Sequence, residues 1–525
     1  MFELAASALA LLMAHPSHSA PQTPEQAAEQ AAALIKPVPA DAIVAIRQTC
    51  ALPAEAKFID ARHIASADEL ATMLEGLELD RPEASRTIVH GGKFVGEDII
   101  VMLGKLEGGC IHDSDLSRTR AEAASFAGSS IINSSIERAD WSSAILNETR
   151  LVGVNAKDAK LTGAALRGAL WKGQNWKSNL AKADFTGALM LGFRFECGIT
   201  MDESCGGSSG AKFDRADLSA ADLAEFPTWG YDSFAGAVFE GTRIHPRAVK
   251  NLKAMELGNS LVLASAGKRW DGTRAEDKGV QISAEEFAAL RADNLTAAPA
   301  APSFDCAKAS NFAETEICGQ YGHELRSLDR DMAHAYALNR IDRRVSWRSQ
   351  RDWLKTRNAC KDRSCIVEAY KSRISVLLAS LDTRLNLAPD QSAAFHEDVL
   401  PLSKAMRKTE LYKRILPVLE GASIQDVTLT GLEDGSIRIK GTAVGGNAHL
   451  CSVEADAFYD AKTGWYSARS LVNDKPVTVA LFRVWEDRLQ FKYSGNMGDT
   501  PSEASNFIGC GARAAFGELR ALNGI

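Results

Sequence analysis

The chain has 525 residues, of which 46% are hydrophobic and 24% charged, and its formal net charge at pH 7 is −7. A single hydrophobic core stops growing at about 250–300 residues, so this length predicts several domains. The small net charge argues against bulk electrostatic capture of nucleic acid. The ordinary composition argues against long disorder outside linkers.

The N-terminus predicts export. Residues 4–14 form a mostly apolar run of 11 residues, shorter than the roughly 20 residues that a membrane-spanning helix needs. Ser17 and Ser19 supply small residues for cleavage, so residues 1–19 are interpreted as a signal peptide and the mature chain is expected to lack a transmembrane segment. Glu3 but no Lys or Arg precedes the run, so an upstream start, an unusual signal and a short buried helix stay open.

Cysteine usage agrees with an oxidising compartment. The ten cysteines form no C-x-x-C motif and lack a zinc-type histidine spacing, so disulfides are favoured over metal or redox chemistry. The pairing of Cys50 and Cys110 stays open. The predicted bonds are Cys197 with Cys205, Cys306 with Cys318, Cys360 with Cys365, and Cys451 with Cys510.

A large apolar side chain recurs every five positions from residue 126 onward. A period of five fits neither a helix nor a strand, and it suits a narrow coil that takes one large and one small side chain per face. The spacing slips by one residue before Leu180, and residues 198–211 interrupt it, either as a partner-contact loop or as a tolerated insertion. The predicted core positions are Phe126, Ile131, Ile136, Trp141, Leu146, Leu151, Leu161, Leu166, Trp171, Trp176, Leu180, Phe185, Met190, Phe195, Phe213, Leu218, Leu223, Phe234, Phe239 and Ile244.

These repeats resemble the pentapeptide-repeat family, whose A-[DN]-[LF] pattern begins here at Ala139, Ala183, Ala216 and Ala221. The resemblance covers residues 104–245 and implies a right-handed quadrilateral β-helix of about five coils at the usual strand spacing. Residues 20–103 would form an N-terminal region and cap. Some members mimic DNA through a strongly acidic rod, but residues 104–245 carry 18 acidic and 15 basic residues, so no nucleic-acid-related role is expected.

Residues 304–384 predict a small helical module, which follows a cap and an Ala/Pro-rich linker at 246–303. A bond between Cys360 and Cys365 would staple a helical hairpin and stabilise a thin core. Two apolar stripes at helical spacing define that core. They are Leu325, Leu328, Met332 and Ala335, and Ile366, Tyr370, Ile374 and Leu377.

The module is similar to the LprI-type lysozyme-inhibitor N-terminal domain. The matching residues are the four cysteines, Gln350, Arg351, Trp353, Leu354, Tyr370, Arg373 and Ile374. The resemblance implies binding and inhibition of lysozyme in the cell envelope. Residues 305–373 contain 14 basic and 10 acidic side chains, whereas animal c-type lysozymes are also basic, so long-range attraction would be unfavourable. An anionic envelope ligand is an equally physical interpretation.

Residues 385–420 are predicted to be a helical connector, and residues 421–525 an antiparallel β domain, either a meander or a small closed sheet. The predicted fold class is therefore mainly β and multidomain, with a β-helix, a disulfide-stapled helical domain and a terminal sheet. Alternation between turns predicts the strands. They cover residues 424–430, 436–444, 451–459, 465–469, 477–484 and 488–493.

Nothing in the sequence singles out catalysis. It contains no P-loop, nucleophile elbow, zinc-protease motif or dinucleotide fingerprint, so we expect no enzyme, no cofactor and no metal. His90 and His112 are interpreted as capping or surface residues, and His323 and His334 as a surface pair on one helical face.

Two functions are predicted. The first is an exported envelope binding protein that inhibits lysozyme or another peptidoglycan-cleaving enzyme. The second is a non-catalytic structural or adaptor scaffold of the periplasm. A hydrolase in the β domain is a third interpretation, which no motif supports.

Overall fold

The structure of the chain is a computed structural model. It describes residues 36–76, 87–103, 106–174, 177–197, 208–226, 232–252, 258, 260–265, 279–297, 301–341, 344–445, 449–472, 475–495 and 500–523. The predicted signal peptide, Trp176 and Cys205 lie outside these residues. Within them, no helix is long and apolar enough to cross a membrane.

The first half of the chain winds into a β-solenoid of about seven turns. One 11-stranded sheet runs in chain order along the rod, and its pairings are parallel except the last. The predicted multidomain fold, with a solenoid, a disulfide-bonded helical region and an antiparallel sheet, is confirmed. The strands are β1 (Lys57–Asp60), β2 (Thr87–His90), β3 (Cys110–His112), β4 (Ser130–Ile132), β5 (Arg150–Val152), β6 (Leu170–Lys172), β7 (Arg194–Glu196), β8 (Asp222–Leu223), β9 (Thr242–Ile244), β10 (Ser260–Leu263) and β11 (Val280–Ser283).

Backbone hydrogen bonds between coils fix the repeat. Ile131 pairs with Leu151, and Leu151 with Trp171, so equivalent positions lie twenty residues apart, or four pentapeptides. The chain turns at corners where residues such as Arg138 (φ 58°) and Gly168 (φ 64°) adopt left-handed backbone. Glycine adopts that conformation without steric cost, whereas other L-residues are strained there. The inter-coil bonds therefore compensate for a strained corner on each coil.

Side chains fill the bore of the rod. All the predicted core positions that the structure describes are buried, and the alanines between them, such as Ala139 and Ala183, are fully enclosed. Aromatic rings stack from coil to coil, with ring centroids 5.0 Å apart for Phe185 and Phe213. The Trp141 indole N–H donates to the Thr119 hydroxyl over 3.2 Å, so this buried ring also meets its polar requirement.

The solenoid is longer than the sequence analysis predicted. His90 pairs with His112, so a coil precedes residue 104, and Phe94 and Ile99 are buried in it five positions apart. The repeat resumes at Leu180 as predicted, since this residue is buried in the bore, but the coil before it is longer than the others. Val152 pairs with Lys172, twenty positions on, but Asn155 pairs with Asn179, twenty-four on. This coil therefore has four more residues between these pairs than the preceding coil has, and the predicted core residue Trp176 lies outside the described residues.

Helices cover the start of the rod. Helix α1 (Ala40–Thr49) packs outside the coil against apolar residues that include Ile132 and Val152. A Cys50–Cys110 disulfide fastens it there, which settles the pairing left open by the sequence. Helix α2 (Ala67–Gly76) places Leu70 in the solenoid core, and a short α3 (Ile100–Leu103) follows in the first full coil.

Two helices close the other end. Helices α4 (Ala284–Ala297) and α9 (Glu410–Gly421) contribute Leu290, Ile415 and Leu419 to the same core as the solenoid. The predicted helical connector at 385–420 is therefore only partly helical. Its first part contains strand β12 (Ser392–His396), which pairs with the terminal sheet and buries Phe395. This strand is defined by its partner in the terminal sheet, so the short segment itself has no residue pattern strong enough to predict a strand.

In the part of the helical module that the structure describes there are four α-helices and two disulfides. Arg357 donates to the Tyr370 hydroxyl over 3.0 Å, and that hydroxyl donates to the Asp329 carboxylate over 2.7 Å. Burial raises the pKa of Tyr370, so the hydroxyl stays a neutral donor in the module core. The helices are α5 (Phe312–Cys318), α6 (His323–Ile341), α7 (Trp347–Asn358) and α8 (Arg363–Ala379). The disulfides are Cys306–Cys318 and Cys360–Cys365.

The C-terminal sheet closes on itself, because the strand Ile437–Val444 at one end of the strand order also pairs with the strand Leu450–Asp460 near the other end. A Cys451–Cys510 disulfide joins directly paired positions of β15 and β19. Trp485 extends from this sheet into the core of the helical module, and Arg488 bonds to Asp331 of α6 over 2.6 Å. The remaining strands are β13 (Gln425–Gly431), β14 (Ile437–Val444), β15 (Leu450–Asp460), β16 (Trp465–Val472), β17 (Lys475–Trp485), β18 (Arg488–Phe491), β19 (Ile508–Cys510) and β20 (Leu519–Arg520).

Phe185 tests the filled bore. Replacing this 1% exposed ring by alanine should lower the free energy of unfolding by about 3–5 kcal/mol, because a large buried side chain leaves a cavity. Leu189→Ala in the same coil is the control, since Leu189 is 40% exposed and should cost less than about 0.5 kcal/mol. Guanidinium denaturation measures both, and equal losses would contradict the inward placement of Phe185.

His245 predicts a pH dependence. It is buried after β9, where its Nδ1 accepts the Arg247 backbone N–H over 3.1 Å, and burial lowers its pKa from 6.5 to about 3. The unfolded chain binds a proton below pH 6.5 that the folded chain does not bind, so stability decreases as the pH falls towards 3.

Between pH 7 and pH 5 this difference should cost about 2 kcal/mol of unfolding free energy. His245→Asn keeps a capping acceptor that does not titrate. The variant should therefore lose about 2 kcal/mol less than the wild type in urea denaturation at the two pH values. Parallel losses in both proteins would show that His245 does not titrate as described.

Candidate functional sites

The histidines predicted as a surface pair on α6 have separate partners. His323 Nδ1 lies 3.0 Å from the Arg326 guanidinium. His334 Nε2 lies 2.8 Å from the Glu486 carboxylate of the C-terminal sheet. His334 therefore contributes to the contact between module and sheet, which the sequence pattern could not show because the residues are far apart in the chain.

The structure brings together His90 and His112, which the sequence analysis interpreted separately. They are direct partners on β2 and β3, and their Nδ1 atoms lie 3.0 Å apart. His112 is only 6% exposed, and Asp113 Oδ2 lies 3.6 Å from its Nδ1. Burial lowers the pKa of both imidazoles, and the Asp113 carboxylate opposes that shift. Extending the repeat upstream of residue 104 would have revealed the pairing.

A polar groove runs along the solenoid beside this cluster, with a volume of about 500 Å³. Asp113 belongs to both the cluster and the groove. Lys177 lies 3.7 Å from the Asp113 carboxylate. The lining residues are Lys93, Asp113, Ser114, Asp115, Asn133, Ser134, Ser135, Gly153, Asn155, Lys177 and Asn179.

An exposed aromatic side chain marks one end of the helical module. Trp347 begins α7 and is 52% exposed, and the guanidinium carbons of Arg348 and Arg351 lie 5.6 and 4.8 Å from its ring centroid. These three residues are called the Trp347 patch. The sequence analysis did not single out Trp347, although its neighbours at i+1 and i+4 are arginines rather than core residues.

Helix packing places further apolar surface at this end of the module. Arg373 of α8 donates to Ser349 of α7, and Asn339 of α6 donates to the Leu377 carbonyl of α8, so the last turns of α6 and α8 lie near the start of α7. Ile341 and Val376 are in those turns and are 77% and 56% exposed. The end of the module therefore combines exposed apolar and basic side chains.

Comparison with known proteins agrees with the solenoid. The family model described as pentapeptide repeats matches residues 137–170 in 8 copies, so pentapeptide repeats build this rod. No curated protein matches the chain.

The solved structures that are similar to part of this chain include QnrB1 and a plant pentapeptide repeat protein. Full-length QnrB1, a plasmid-mediated fluoroquinolone resistance protein, is 17% identical over 33% of this chain and 94% of its own, with a TM-score of 0.17. A pentapeptide repeat protein from the Arabidopsis thaliana thylakoid lumen is 21% identical over 25% of this chain and 69% of its own, with a TM-score of 0.13.

Proposed function

We propose that this protein is an exported envelope protein that acts by binding another protein rather than by catalysis. We further propose that its helical module inhibits lysozyme or another peptidoglycan-cleaving enzyme through the Trp347 patch. The patch carries the proposal because tryptophan and arginine dominate the energetics of protein interfaces.

Export is supported by the distribution of disulfides. They join α1 to the solenoid, staple the helical module twice, and cross the terminal sheet. Cys197 is disulfide-bonded as well, although its predicted partner Cys205 lies outside the described residues. Bonds of this kind form and persist in oxidising compartments such as the periplasm and the extracellular space.

A binding role is supported by which surfaces the contacts between domains leave exposed. The side chains of the solenoid fill its bore, and the helical module is anchored on the side of Trp485, Arg488 and Glu486. The Trp347 patch stays exposed on the module. Because the arginines contact the indole, the patch is partly preorganised, which lowers the entropy lost on binding.

Charge predicts how a lysozyme would approach. Residues 305–373 contain 14 basic and 10 acidic side chains, so a basic lysozyme is repelled locally by the helical module and held there by short-range contacts, although the whole chain has a net charge of −7. Salt screens that repulsion, so association should become faster as the salt concentration rises. An anionic envelope ligand would show the opposite salt dependence.

Trp347 tests the proposed function. The full-length mature protein in excess should slow the lysis of peptidoglycan by lysozyme. Trp347→Ala should weaken this inhibition by at least about 30-fold, as expected for an interfacial hot spot. The measurements are the lysis rate and, over a range of salt concentrations, the association rate.

Tyr321→Ala is the matched control, because Tyr321 is an exposed aromatic residue, 79% accessible, just before the opposite end of α6. Its inhibition should stay within about twofold of the wild type, as for most exposed residues outside a hot spot. Unchanged lysis at excess wild-type protein would remove lysozyme as the partner. Equal losses of inhibition in Trp347→Ala and Tyr321→Ala would show that inhibition does not depend on the Trp347 patch.

A second candidate function is a structural or adaptor scaffold, favoured by the solenoid of about seven turns with both smaller domains fastened at one end. In that case the rod acts as a rigid spacer. Wild-type and Trp347→Ala proteins would then retain the same envelope proteins in affinity capture, and neither would slow lysis.

A further inference from the structure

We propose that His90, His112 and Asp113 form a binding site for a divalent transition-metal ion of the zinc class. The site lies on the outside of the solenoid, where β2 and β3 pair. The site is independent of the Trp347 patch, because it uses side chains of a different part of the molecule.

The donor atoms form a compact set. One ligand atom from each of the three residues lies within 4.8 Å of the others. Imidazole nitrogen and carboxylate oxygen are the ligands that zinc and neighbouring transition metals accept, and three protein ligands leave a position for water. Calcium and magnesium are disfavoured, because they take oxygen ligands almost exclusively.

The distances suit tetrahedral coordination. Bond lengths of about 2.0–2.2 Å at tetrahedral angles place neighbouring ligand atoms about 3.3 Å apart. The two Nδ1 atoms are 3.0 Å apart, and His112 Nδ1 is 3.6 Å from Asp113 Oδ2. These two separations bracket the tetrahedral value, and the His90–Asp113 separation, which is within 4.8 Å, shortens when the three side chains close on an ion.

The fold also fixes the ligands. His90 and His112 occupy paired rungs of a parallel ladder, and their ring centroids are 5.2 Å apart. The Phe58 ring contacts His90 from the neighbouring strand, with ring centroids 5.7 Å apart and planes tilted by 32°, which restricts rotation of the imidazole. Asp113 follows at the corner with φ of 50°. Ligands on such a ladder lose little conformational freedom on binding, which is what a metal site needs.

Two positive charges act against the ion. Lys177 lies 3.7 Å from Asp113 Oδ1, and Arg62 is paired with Asp60 on the rung next to His90. The Lys177 ammonium competes with the ion for the Asp113 carboxylate. Removing the Lys177 charge should therefore tighten metal binding, whereas removing a ligand should weaken it.

The experiment uses metal-free, full-length mature protein without a polyhistidine tag. Calorimetric titration with Zn²⁺ should give one equivalent per chain, and Co²⁺ should give the absorption bands of a tetrahedral complex. Loss of an outer-sphere partner already costs about 10–100-fold in affinity, so His112→Ala should cost at least about 100-fold. Lys177→Gln should tighten binding by about three- to tenfold.

His396→Ala is the matched control. His396 Nδ1 lies 2.7 Å from the Asp426 carboxylate on the terminal sheet. The variant therefore removes a histidine–carboxylate pair elsewhere in the molecule, and the affinity for the metal ion should stay unchanged. Asp113→Asn keeps both imidazoles and changes a 43% exposed side chain. If His112→Ala does not fold, Asp113→Asn tests the site instead, and it should weaken metal binding at least about tenfold.

Two results would overturn the site. One is wild-type protein that binds no stoichiometric Zn²⁺ or Co²⁺. The other is binding that is the same in His112→Ala, Asp113→Asn and Lys177→Gln as in the wild type, since the ion would then be bound elsewhere. Loss in the ligand variants together with tighter binding in Lys177→Gln supports it.

Discussion

The hydrogen bonds between successive coils are the constraint on which the rest of this structure depends. Each coil can bond to the next only if equivalent residues keep a spacing of about twenty, as Ile131, Leu151 and Trp171 do. A coil with extra residues must therefore return to regular pairing afterwards, as it does by Asn179, where the spacing to the preceding coil has grown from twenty to twenty-four residues. Large and small side chains, such as Trp141 and Ala139, alternate inside the bore, because protein interiors are close-packed.

A rod of this kind has two open ends, and the remaining parts of the chain close them. Helix α2 covers the start, and α4 and α9 the end, so apolar residues of distant sequence share one core with the repeats, whereas α1 packs in a separate cluster on the outside of the coils. The helical module and terminal sheet then attach through Trp485 and Arg488. Disulfides in each part compensate for small cores. This arrangement leaves the Trp347 patch and the His90–His112 cluster on different parts of the molecule.

Period and alternation are local signals, and they determined much of the fold. The five-residue period identified the rod, helical spacing identified α6 and α8, and alternation identified the main strands of the terminal sheet. These signals failed where pairing was decided by partners remote in sequence. Strand β12 was taken for helix because only β13 and β20 define it, and the first coil was missed because its apolar positions are few.

The sequence by itself determined the repeat and the two cysteine pairs of the helical module, because each depends on neighbours in the chain. Only the tertiary structure decided how Cys50 pairs, where the rod begins, and that His90 meets His112. It also decided that Trp347 remains exposed, since hydrophobicity alone would have placed a tryptophan in a core. Such features depend on which coils and helices lie side by side, and that depends on contacts between residues distant in the sequence.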